Sequence, residues 1–151
     1  MVDSFLNLRK NVLDYTNMDM NLELSRDDQV YIAVVDIPTF SGIVGNEYMS
    51  LAMIFGLNCH LYLSNGEART GLEKDAKVMR AMQSMLVSSH QVLKSMELTD
   101  AYEFKPSEKR RVFLKTTMGV YFKEIDESKE SSFLNMMIDN VLKHIGECTS
   151  V

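Results

Sequence analysis

The chain has 151 residues, enough for one domain that closes its own core without help from disulfides or metal. Seven glycines and two prolines leave little room for linkers or disorder. A net charge of −5 argues against a general nucleic-acid binder, which usually needs a basic face.

The segment MVDSFLNLRK carries Asp3 and no continuous apolar core, so it does not read as a secretory signal. The longest apolar run, Leu51 to Leu57, is far short of the roughly 20 residues that span a bilayer. Two cysteines, Cys59 and Cys148, make no disulfide framework, and the expected location is cytoplasmic. Twelve methionines fall mostly on apolar faces and read as core filler.

Ser4 predicts the cap of a first helix running to about Thr16, with Phe5, Leu8, Val12 and Tyr15 on its buried stripe. Arg9, Lys10 and Asp14 are expected on its solvent side. Met18, Met20, Leu22 and Leu24 then alternate with polar residues, the pattern of a half-buried strand. VYIAVVDI, residues 30–37, reads as a central strand ended by Pro38, and a loop with Gly42 and Gly45 follows.

Every odd position from 49 to 63 is apolar, which predicts one long strand bent at Gly56. The alternative is a short helix capped by Asn46 and stopped by Gly56. Asn65-Gly66 marks a type I′ hairpin turn. A long helix from about Leu72 to Met96 carries Val78, Met82, Met85, Ser89, Val92 and Met96 on one line. Tyr102 to Lys105 suggests a short edge strand. Two further strands, near 110–117 and 120–125, precede a last helix from about Ser131 to Ile145, closed by Gly146 with a frayed tail at 147–151.

Chemical motifs are sparse. GEARTG, residues 66–71, has phosphate-loop glycine spacing, but Leu72 and Glu73 stand where the lysine and hydroxyl belong. His60, His90 and His144 lie on different elements, so no metal site is expected and no cofactor is implied. Cys59 lies in the apolar register of its strand and reads as core rather than nucleophile.

Two candidate sites remain. Asp36, Thr39 and Ser41 would offer polar groups to a small molecule at the loop 36–46. Lys109, Arg110, Arg111 and Lys115, with Lys105 nearby, form a basic cluster suited to an anionic partner.

The whole predicts a single α+β domain: an antiparallel sheet of about five strands, a long helix across it, and a helix at each end. That element order is similar to the arrangement in roadblock and profilin-like domains, a likeness of topology that implies dimerisation by sheet extension or helix pairing. The function expected is a non-enzymatic interaction module, a homodimer acting through a helix face or the basic hairpin, with no nucleic-acid or membrane partner. The alternative is a small-molecule-binding protein or enzyme with its pocket at 36–46.

Overall fold

Hydrophobic alternation with period two dominates the middle of the chain, and that is where the sheet forms. In a computed structural model of the protein, residues 2–41 and 45–149 are described. Seven strands make one antiparallel sheet: β1 (Ile32–Ser41), β2 (Gly45–Ile54), β3 (Asn58–Leu63), β4 (Ala68–Arg69), β5 (Glu97–Thr99), β6 (Arg111–Thr116) and β7 (Gly119–Glu124). Their order is β4-β3-β2-β1-β6-β7-β5, so β1 is central, as its apolar run predicts, and the sheet has two strands more than expected.

Three α-helices cover the sheet: α1 (Asp3–Asp14), α2 (Ala76–Ser88) and α3 (Lys129–Thr149). The pleat sorts side chains between two cores. Ala33, Val35, Leu51, Met53, Cys59, Val112 and Leu114 meet α2 and α3 on one face. Ile32, Val34, Ala52, Tyr62 and Phe113 meet α1 on the other, where Phe5 and Leu13 are fully buried.

The six-residue line read from Val78 to Met96 is buried throughout, but its backbone is not one helix. A 3₁₀ turn at Leu72–Lys74 precedes α2, whose true cap is Asp75: its carboxylate accepts from the Lys77 and Val78 amides at 2.9 and 3.1 Å. At Ser89 the chain tightens to 3₁₀ and runs so to Ser95. Ser89 and Ser95 turn their hydroxyls back onto the carbonyls of Leu86 and Val92, which competes with regular helix.

Further expectations are corrected. Residues 18–24 form no strand: they cross the α1 face of the sheet, and Met20, Leu22 and Leu24 pack on it without pairing. β1 does not stop at Pro38. Its pairing with β6 ends at Asp36↔Arg111, so Pro38 lies where only β2 flanks the strand and no second ladder needs its amide.

The segment 49–63 is a hairpin rather than one strand, turning at Phe55–Leu57 with Gly56 at φ +70°. Its register pairs Met49 with Leu63, Leu51 with Leu61 and Met53 with Cys59, so odd faces odd and the alternation runs unbroken through the turn. At Asn65-Gly66 a tight turn does form, but Gly66 alone has positive φ (+98°), with Leu63 N–H donating to the Glu67 carbonyl.

The helix ends differ too. α1 begins without a side-chain cap, and α3 passes Gly146 to reach Thr149. α3 starts at Lys129 rather than about Ser131, and Ser128 caps it: its hydroxyl accepts from the Ser131 amide at 3.1 Å. Tyr102 and Phe104 belong to no strand. Phe104 instead wedges edge-on against Phe5 and Tyr48, with ring centroids 5.4 and 5.0 Å away.

Candidate binding surface

Asp36 is the single acid in the central strand, and the fold gives it a partner from a different element. Arg9 of α1 is 2% exposed and Asp36 3%. Arg9 Nε donates to both carboxylate oxygens at 2.9 and 3.1 Å, and Nη2 to Oδ2 at 2.8 Å. Ser50 Oγ donates to Oδ1, and Arg9 Nη1 donates to the Tyr102 carbonyl, each at 2.5 Å. The guanidinium also lies 4.9 Å from the centre of the Phe113 ring.

Arg9 is thus the opposite of the solvent-side residue its type suggests. Its spacing held the signal, because it falls four residues after Phe5 and four before Leu13.

Of the expected pocket residues, Asp36 and Thr39 do not share a face of the sheet. β1 runs on to Ser41 and β2 begins at Gly45, so the described residues of the loop expected at 36–46 are paired strand; residues 42–44 lie outside the described ones, as do the side chains of 40, 41, 45 and 46. Ser41 is placed by its backbone alone, opposite Gly45. In the unbroken register Asp36 faces α1, while Thr39, three residues on, takes the opposite face. Asp36 is occupied by Arg9 and Ser50.

The expected basic cluster is spread over both faces. Arg110 reaches α3, with Nη1 2.7 Å from Asp139 and 3.0 Å from Asn135. Arg111 lies on the other side, its Cζ 4.4 Å from the centre of the Phe122 ring. Lys115 Nζ donates to the carbonyls of Leu13 and Tyr15 at 2.7 and 2.6 Å, closing the C-terminus of α1. Burial lowers the Lys115 pKa, partly offset by Asp14 and Asp19. Lys105 and Lys109 remain exposed.

A second set of cations stands on the helical layer. α2 contains Lys77 and Arg80 and no acid. Helical spacing puts Lys77, Arg80, Ser84 and Val87 on one outward stripe, about 15 Å long. Against it, α3 presents Met136, Asn140, His144 and Glu147 at steps of four, four and three.

Two adjoining hollows of about 340 and 350 Å³ lie between these stripes and share Lys77, Arg80 and His144. Their linings match the start of α2 with the end of α3, and Ser84 with Asn140, so the helices run antiparallel. Val87 and Met136, 56% and 59% exposed, therefore lie toward the same end of the groove.

The acids bordering the groove are already engaged. Asp75 caps α2, Glu147 accepts from His144 at 3.3 Å, and Asp139 holds Arg110. Among the described residues no carboxylate pairs with Lys77, Arg80 or Lys143. Arg80 Nε bonds only to the carbonyl of Ala76 in its own helix.

No group of three or more potential metal-ligating side chains occurs among the described residues. No helix among them is long and apolar enough to cross a membrane. Cys59 is fully buried; desolvation first, then Glu73 and Cys148, push its thiol up to about 12. Cys148 is exposed. A thiol titration of the native protein near pH 8 is therefore expected to count one reactive cysteine, rising to two in denaturant. Two fast-reacting thiols in the native protein would contradict the burial of Cys59. The family models, the curated proteins and the solved structures offer no match to this chain.

Proposed function

We propose that the protein is a non-enzymatic interaction module that docks its partner on the groove between α2 and α3. The observation that carries this reading is the pair Lys77 and Arg80, exposed, one turn apart and without a carboxylate partner, with exposed Val87 and Met136 one turn beyond the Ser84 and Asn140 that line the groove. Polar and apolar contacts side by side on a rigid helical layer suit protein recognition. The basic hairpin is the weaker surface, since Arg110, Arg111 and Lys115 are spent on contacts within the fold.

Pairing two copies through this groove would bring the α2 cations of both into one interface, which favours a different partner over a second copy. Sheet extension is poorly supported as well: the edge strands have two and three residues, and short edges resist pairing.

Proximity labelling in the native cell, followed by protein identification, tests the reading. Lys77→Glu/Arg80→Glu is expected to lose captured proteins that Lys105→Glu/Lys109→Glu retains. Loss with the hairpin variant alone would move the site. A captured set indifferent to both variants would end the interaction reading for these surfaces.

A further inference from the structure

From the chemistry of the same groove we infer its occupant: an acidic amphipathic helix of a partner protein, about three turns long, laid between α2 and α3. This rests on the interaction reading and adds the nature of the partner. The length follows from the α2 stripe, since Lys77 to Val87 spans about 15 Å and presents side chains at steps of three and four. A third helix set between two antiparallel ones packs its side chains against both at once, a helix-in-groove mode of recognition.

Charge complementarity sets the sign of the occupant. Among the described residues Lys77 and Arg80 have no carboxylate partner, and the hollow they line with Ala81, Ser84, Asn140 and His144 contains no acid; Asp75 and Glu147, in the adjoining hollow, are hydrogen-bonded within the fold. Carboxylates one turn apart on an incoming helix would meet Lys77 and Arg80 in turn. Its apolar side would cover Val87 and Met136, which the chain leaves in water.

Nucleic acid fits less well. Two unpaired cations on a chain of net charge −5 give a small electrostatic footprint, and exposed Val87 and Met136 have nothing to recognise on a phosphate backbone.

The test uses the full chain and a labelled, designed peptide of about three turns, with glutamates along one edge and leucines along the other. A lysine-for-glutamate counterpart and a serine-for-leucine counterpart serve as controls, and binding is followed by fluorescence anisotropy. The acidic amphipathic peptide is expected to bind and both controls to fail.

Lys77→Glu/Arg80→Glu is expected to weaken binding about tenfold or more, and raising salt from about 50 mM to about 500 mM should weaken it in the same direction. Val87→Ser with Met136→Ser should weaken it without the salt dependence changing. All four positions are exposed, so unchanged thermal melting is expected to certify the variants' folds.

Equal affinity of the charge-reversed variant, equal binding of the lysine peptide, or no binding at all would overturn the inference. Tighter binding of a single-stranded oligonucleotide or of anionic vesicles than of the peptide would overturn it too, as would groove-dependent self-association in sedimentation. If labelling depends on the groove but the acidic peptide does not bind, the interaction reading stands and this inference falls. If neither depends on the groove, both fall.

Discussion

Asp36→Ala is expected to destabilise the protein by about 3–5 kcal/mol, because it leaves the Arg9 guanidinium buried without its counter-charge. In a chain of this length that corresponds to a fall in melting temperature of about 10 °C or more. The carboxylate takes three hydrogen bonds from Arg9 and one from Ser50, so its removal strips four at once. Arg9→Ala is expected to cost a similar amount from the other side. An apolar pair, Arg9→Met with Asp36→Leu, should recover much of the loss, since it removes the charge and its desolvation together. Urea denaturation of the three variants checks the set. A loss below about 1 kcal/mol for Asp36→Ala would mean that water reaches the pair.

Phe113→Ala is the second large effect, expected at about 3–5 kcal/mol. The ring is fully buried on the α1 face, 5.1 Å from Phe122 and beneath the Arg9 guanidinium. Truncation opens a void between Arg9 of α1 and Phe122 of β7. Because Phe113 and Arg9 touch, their losses should not add, and a double-mutant cycle is expected to show coupling of about 0.5–3 kcal/mol. Additive losses would place the ring and the guanidinium in separate environments. Phe113→Leu, which refills most of the volume, should cost clearly less.

How much of this was readable depends on which physical signal each element carries. The central strand, the hairpin of β6 and β7, and the stripe from Val78 to Met96 follow from periodicity, because burial imposes that pattern directly. Periodicity records burial, not pairing, so Met20, Leu22 and Leu24 alternate while lying on the sheet rather than in it.

The same limit hid the turn at Gly56, where an odd-to-odd register leaves no break in the pattern. The Arg9–Asp36 pair was not legible, because Arg9 reads as a solvent-side residue and Asp36 as a polar group at a strand end. A buried acid needs a partner, and here that partner lies 27 positions earlier on a separate element, a distance about which local pattern carries no information. The groove was invisible for a related reason. Lys77 and Arg80 look like any solvated helix face until α3 is placed beside them and the neighbouring acids prove to be taken.

The strand order carries a consequence for how the chain reaches its fold. β1 hydrogen-bonds to β6 across roughly 80 residues of sequence, while β1 to β4 connect through consecutive hairpins. During synthesis the segment 32–69 can pair as soon as it leaves the ribosome, yet the β6 side of β1 stays open until most of the chain has been made. That side carries the amides and carbonyls of one of the most apolar stretches in the protein. For that interval the nascent chain exposes a sticky strand edge, and its yield should depend on the pace of translation and on chaperones more than the stability of the finished domain would suggest.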